Sequence, residues 1–334
     1  MAALPRRLSC DDYTVACVSP MGVELAAMEA MLDDIHESLP SSRDHNGYTL
    51  GRIGPHNTVI AVMPAIGNNR AASVATQLLN DFQAIRFGLL VGIGGGVPSQ
   101  ENDIRLGDVV VSKPTATFGG AVQYDMGKAT AEGVLQRTGT LKPPPSVLMA
   151  SVQRLQSQHI RTGGRIPRLL TEMLDKYPNM RKKQYTHQGM EQDRLFEATY
   201  PHQGGTTCQQ CDPARLMERD PRFDCDPEIH YGTIGSGNAV VKDGAMRERL
   251  RAELGVLCVE MEAAGLMDEL QCLVIRGICD YADSHKNEQW QPYAAATAAA
   301  YAKELLYITP AQEQTQTLKA AAATQKTSGY LVES

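Results

Sequence analysis

The chain has 334 residues, 43% hydrophobic and 21% charged, with a formal net charge of -6; that leaves ample length for a buried core, and the absence of clustered Lys and Arg argues against a nucleic-acid partner. No apolar run reaches the roughly 20 residues needed to span a bilayer, and no apolar segment follows the two arginines near the N-terminus, so neither a membrane partner nor a secretory signal is expected. The eight cysteines are scattered, and Cys17, Cys258, Cys272 and Cys279 lie in apolar runs, which reads as buried thiols of a cytoplasmic protein.

In chain order, Tyr13–Ser19 reads as a buried strand, followed by an amphipathic helix over Gly22–Leu39 with Leu25, Met28, Leu32, Ile35 and Leu39 on one stripe. Val59–Met63 is a short strand and Ala71–Phe82 a helix. Phe87–Val91 is a third strand, ending in the glycine run Gly92-Ile93-Gly94-Gly95-Gly96, and Asp108–Ser112 is a fourth. The pattern then breaks. Residues 115–226 are polar and contain Pro143-Pro144-Pro145, with helical stretches at Val147–Gln158 and Pro167–Lys176, which predicts an insertion carried on the core. Strands return at Ile229–Ile234, Val256–Val259 and Leu273–Ile278, alternating with helices at Gly244–Leu254, Glu262–Leu270 and Pro292–Ile308. This alternation predicts an α/β fold of three α/β/α layers around a central mixed, twisted sheet. Residues 1–309 form one domain on this reading, and 310–334, poor in bulky apolar side chains, read as a flexible tail.

In such folds ligands bind outside the carboxyl ends of the strands. There the sequence places Glu24 after the first strand, the glycine run after the third, Glu260-Met261-Glu262 after the penultimate strand, and Arg276 and Asp280 at the last. Carboxyl groups converging with a glycine run suit cleavage of a purine–ribose bond. The departing base needs a proton at N7, and the sugar becomes oxocarbenium-like and positive. Plainer roles exist for each residue. Glu260, Glu262 and Glu24 fit helix N-terminal acids, Asp280 a turn cap, Arg276 a structural ion-pair partner, and Trp290 a core aromatic. Asp125 and Lys128 fit either a pocket rim or a salt bridge. Cys208 and Cys211, with His202, Cys225 and His230 nearby, are compatible with tetrahedral zinc. One CxxC pair with irregular flanking spacings favours free thiols, and no metal or other cofactor is expected.

The motifs VGIGGGVP (91–98), LGDVVVSKPTATFGGAVQYDMGK (106–128), IHYGTIGSGNAVVKD (229–243), VEMEAAGL (259–266) and VIRGICDYAD (274–283) resemble the nucleoside phosphorylase / methylthioadenosine nucleosidase superfamily. The resemblance is to its fungal branch, often found at the N-terminus of NACHT, NB-ARC or ankyrin-repeat proteins. It implies that Glu262 binds the ribose hydroxyls with Met261 packed on the sugar, and that Asp280 serves the purine N7 as acid. It also implies that Glu24 positions the attacking water beside Arg276. The loop containing Asn238 and Val240 would read the base, Gly94 and Gly95 would border the ligand, and Trp290 would supply an aromatic over it. Four departures bear on the nucleophile and the base. Phosphorylases of this fold hold phosphate with an arginine after the first strand, absent from Pro20-Met21-Gly22-Val23-Glu24, and with another where this chain has Leu90. Ile93 replaces a hydroxyl residue, and Val240 a stacking phenylalanine. The implied function is a purine nucleosidase using water, acting on adenosine, inosine or guanosine types as a homo-oligomer. The alternatives are a phosphate-dependent phosphorylase, with Arg70 as candidate phosphate ligand, and a nucleoside-sensing effector domain with weak catalysis.

Overall fold

A computed structural model describes residues 8–39, 46–131 and 135–311; the expected tail beyond 311 lies outside the described residues. The first half runs β1 (Val15–Ser19), α1 (Gly22–Ala30), β2 (Asp34–Ile35), β3 (Gly47–Ile53), β4 (His56–Val62), α2 (Asn68–Asp81), β5 (Phe87–Gly96), β6 (Val109–Ser112), β7 (Ala121–Gln123), β8 (Gly127–Ala129) and β9 (Leu135–Arg137). The second half runs α3 (Ser146–Thr162), α4 (Ile166–Lys176), α5 (Asn179–Lys182), β10 (Ile229–Ser236), α6 (Gly244–Leu254), β11 (Val256–Glu260), α7 (Ala263–Glu269), β12 (Cys272–Asp280) and α8 (Gln291–Ile308).

The main sheet has the order β11-β10-β6-β12-β5-β1-β4-β3-β2, and β7 adds to β10. It is mixed: β1 is parallel to β4 and β5, whereas β12 runs antiparallel to β6. β11 also pairs antiparallel with the far end of β5, so β5, β12, β6, β10 and β11 close into a ring. Side chains alternate between two cores, as the two-residue period of a strand requires. Val15 and Cys17 enter the core under α1, α3, α4 and α8, while Ala16 and Val18 enter the one under α2 and α7. The expected three-layer α/β/α fold is the observed one, and Cys17, Cys258, Cys272 and Cys279 are buried as expected.

Four features differ from the sequence reading. The first helix stops at Ala30, because the next residues form an edge strand: Asp34 and Ile35 pair with Arg52 and Gly51, and the Asp33 carboxylate accepts the Gly54 amide. The expected strand at Val59–Met63 is β4, but β3, its hairpin partner, was not foreseen; the turn between them uses Gly54 at φ 55°, a left-handed conformation that glycine adopts without a Cβ penalty. The glycine run is strand, not loop, with β5 continuing through Gly96. Finally, α3 and α4 of the expected insertion belong to the helical layer, since Leu148, Val152, Leu155, Ile166 and Leu169 join the core beneath α8.

Two close approaches set the geometry. A Cβ on Gly277 would overlap the backbone carbonyl of Ala294, so α8 lies directly on β12, and its buried alanines permit that distance. A Cβ on Gly265 would overlap the Asn68 carbonyl, which draws α7 against the start of α2.

Candidate active site

The carboxyl ends of β1, β5, β11 and β12 meet around a cleft of about 150 Å³, lined by Met21, Glu24, Ile93, Gly94, Gly95, Met261, Glu262, Arg276 and Asp280, among others. The missing side chains of β5 make room for the functional ones. A Cβ at Gly92 would overlap both the Glu24 carboxylate and the Arg276 guanidinium, and one at Gly95 would come within 2.9 Å of Asp280 Oδ1.

Arg276 is 1% exposed and sits among three carboxylates. Its Nη2 donates to Glu260 and, at 3.1 Å, to Glu262 Oε2, and Nη1 lies 3.9 Å from Glu24 Oε1. The two glutamates of VEMEAA are divided by their hydrogen bonds. Glu260 Oε2, at the end of β11, accepts the amides of Glu262 and Ala263 at 3.0 and 2.9 Å, so it caps the free amides at the start of α7. Glu262 instead reaches across to the Gly67 amide at 3.1 Å, and both glutamates line the cleft. The Glu262 carboxyl is pushed above the ordinary range by burial, against the pull of Arg276.

Glu24 uses both oxygens. Oε2 accepts the Met21 amide at 2.6 Å, as an acid in the third helical position does. Oε1 accepts the Ile93 amide at 2.7 Å, so the residue that departs from the hydroxyl pattern still contributes its backbone. Burial pushes Glu24 up to about 8, although Arg276 and these two amides oppose the shift. Each oxygen keeps a lone pair for a further donor.

Asp280 Oδ1 accepts the Ala282 amide at 2.9 Å and Oδ2 accepts from Lys286 Nζ at 2.7 Å. Lys286 was not foreseen, because no spacing rule links a lysine in an irregular turn to the preceding strand end. Its pKa is raised: burial lowers it, but Asp280 and the buried Cys279 overcome that. Tyr124, Ile66 and Gln291 also line the cleft without a sequence signal. Asp125, weighed as a rim residue, accepts the Asn238 amide at 2.6 Å.

Several expected contacts differ. Met261, Gly94, Gly95 and Val240 line the cleft. The Asn238 side chain is engaged elsewhere, with its Oδ1 accepting the Asn68 amide at 3.1 Å, so it pins the 236–241 loop to α2 while Ala239 and Val240 face the cleft. Trp290 is 1% exposed and packs edge-on against His187 and Tyr293 in the core under α8. It leads into α8, and the next residue, Gln291, is the one at the cleft. Arg70 is exposed on α2 and is not among the cleft residues, and Leu90 is buried in the core. Of the cysteine–histidine group, His230 is spent on Asp108 at 2.9 Å and Cys225 is exposed; only His202, Cys208 and Cys211 converge.

The family model described as the phosphorylase superfamily matches residues 14–307. The chain belongs to this superfamily. Among superfamily relatives, a nucleotide-binding leucine-rich repeat (NLR)-like protein of Hyaloscypha variabilis is 45% identical over 303 residues, 90% of this chain and 30% of the relative. The ATP nucleosidase Cap17 of Escherichia coli is 26% identical over 297 residues, 86% of this chain and 49% of the relative. The chain thus spans half or less of these relatives' lengths. A solved structure of the Helicobacter pylori 5'-methylthioadenosine/S-adenosyl homocysteine nucleosidase shares the fold with a TM-score of 0.58 at 16% identity, covering 89% of this chain and 98% of that one. No helix among the described residues is long and apolar enough to cross a membrane.

Proposed function

We propose that the chain is a purine nucleoside N-glycosidase that uses water as its nucleophile. The observation that carries this is the charge inventory of the cleft. Among the described residues lining it, the cation at the Glu24 end is Arg276, already matched by carboxylates, and Lys286 is held at the other end by Asp280. A phosphate dianion placed beside Glu24 meets repulsion without a free cation to offset it, whereas a water can donate to Glu24.

In this reading Glu24 takes a proton from the water as it attacks C1′. Glu262 accepts the ribose 2′ and 3′ hydroxyls and, with Glu24, stabilises the positive sugar. Met261 packs on the sugar. Asp280 delivers the proton to N7 of the departing purine, and the Lys286 ammonium stabilises the carboxylate that results. Arg276 keeps the carboxylates of Glu24, Glu260 and Glu262 together at one end of the cleft. The exposed Ile66 and Val240 at the cleft fit a homo-oligomer in which a neighbouring subunit covers the opening.

The deciding experiment measures free base released from adenosine, inosine, guanosine, methylthioadenosine and ATP in phosphate-free buffer; ATP belongs in the panel because of the relative Cap17. Release of base with free sugar is expected. A requirement for added phosphate, with ribose 1-phosphate as product, would establish the phosphorylase instead. Tight binding without turnover would establish a sensing domain.

The state of Glu24 makes a second prediction. A base must be ionised, so turnover rises as pH increases through about 8, the region to which Glu24 is pushed. The Glu24→Gln variant should lose that limb along with most of its rate. The same shift affects stability with the opposite sense. A carboxyl whose folded pKa is raised adds stability that is fully present below its ordinary value of 4.5 and is lost as pH rises through about 8. A pH–rate profile with no rise in this region would remove Glu24 as the base.

A further inference from the structure

Outside the cleft, the 190–226 segment brings together a set of side chains that the glycosidase chemistry does not use. His202, Cys208 and Cys211 place one ligand atom each within 4.8 Å of one another. The local backbone causes this. Cys208–Gln210 is a single 3-10 turn, closed by the Cys211 amide donating to the Cys208 carbonyl at 3.3 Å, which puts the two sulfurs of a CxxC pair on one side. His202 is held independently, since its backbone amide donates to Ser284 Oγ at 2.9 Å. Its ring meets that of His285 edge-on with centroids 5.5 Å apart.

His285 is the second observation. It is 7% exposed and stacked on Phe196 at 4.1 Å. Neither ring nitrogen has a hydrogen-bond partner; Nδ1 has an ion-pair contact with Asp283 Oδ1 at 3.3 Å, and Nε2 is left without a polar partner. A buried imidazole without hydrogen bonds is costly unless another partner satisfies it.

We propose that His202, Cys208 and Cys211 bind a divalent ion of the zinc class, with His285 available for the fourth position. Two thiolates and an imidazole are the donors such an ion selects over harder cations. Zinc bonds of about 2.0–2.3 Å put tetrahedral ligands about 3.3–3.8 Å apart, so His202, Cys208 and Cys211, whose ligand atoms lie within 4.8 Å of one another, close on an ion with shifts of about an ångström. Binding releases the two thiol protons to solvent and changes no oxidation state. The ion would staple the 202–211 turn to the 281–287 segment that follows β12. That position has a structural consequence: Cys208 lines a cavity of about 580 Å³ that also reaches Asp280. The ion would therefore stiffen the wall beyond the base end of the cleft.

The test uses the full chain, purified under reducing conditions without chelators from zinc-supplemented cells. Elemental analysis should find zinc stoichiometric with the chain, released by a mercurial. Cobalt(II) added to the zinc-stripped protein should produce a thiolate-to-cobalt charge-transfer band. His202→Ala and the double variant Cys208→Ser/Cys211→Ser should lose the metal, and Cys225→Ser should keep it. Wild-type protein that carries no zinc and gives no cobalt–thiolate band would overturn the proposal, whether or not the variants fold. So would a mass lighter by two hydrogens that maps to a Cys208–Cys211 disulfide. These readouts do not depend on turnover, so they stand apart from the glycosidase reading.

Discussion

The Asp280→Asn variant should release base about 10²–10⁴ times more slowly than the wild type while still binding nucleoside. The amide keeps the size of the side chain and can still accept the Ala282 amide, which bonds Oδ1 at 2.9 Å. It cannot carry a proton to N7. It also breaks the ion pair with Lys286, leaving a partly buried ammonium beside a neutral amide. The loss should appear in kcat, because it removes an interaction that matters as the base departs. Steady-state kinetics and calorimetric binding on the same preparation separate the two quantities. Near-normal turnover would remove Asp280 as the acid. The Lys286→Met variant gives a graded version, with a smaller rate loss, because the acid remains but its carboxylate form loses its cation.

The Arg276→Met variant should be the most destabilising single change in the cleft, by about 3–5 kcal/mol. Methionine fills much of the space, so the main effect is electrostatic rather than a cavity. Glu24, Glu260 and Glu262 would be left without the guanidinium they share. Burial already raises Glu24 and Glu262 against the pull of that arginine. Without it, the folded state holds their protons still more tightly. Stability then falls more steeply with rising pH than in the wild type, since protonation relieves the repulsion. Urea unfolding at pH 5.5 and pH 8 should show the larger deficit at the higher pH. Equal deficits at both would mean that the loss comes from packing. Arg276→Lys should recover only part of the stability, because one ammonium cannot reach the partners that a planar fork serves.

Much of the architecture was legible because it rests on local periodicity. Buried strands such as β1 and β12 are continuous apolar runs, and α8 is an alanine-rich segment whose ends are clear. The hairpin β3–β4 was only partly legible, since Gly47–Ile53 mixes glycine, tyrosine, threonine and arginine with few apolar residues. Its strand character comes from pairing with β4, a contact between segments. The same holds for the glycine run, whose composition reads as loop but whose neighbours β11 and β12 make it strand.

The candidate site divides along the same line. The sequence alone determined the family and the strand ends at which Glu24, Glu262, Arg276 and Asp280 stand, and the resemblance carried by its motifs singled out Glu262 over Glu260 as the expected ribose ligand. These are properties of residue order, and motif spacing preserves them. Only the tertiary structure decided which side chains complete the site. Lys286 reaches Asp280, Trp290 retreats into the core, and Asn238 turns to Asn68. Arg276 becomes the shared partner of three carboxylates. Each outcome depends on the path of an irregular segment or on a gap left by Gly92 or Gly95 on a strand distant in sequence. Burial and electrostatic pairing act through space, so the upward push on Glu24 follows mainly from its burial beneath β5 and β12, with Arg276 and the Ile93 amide opposing it, rather than from its neighbours along the chain.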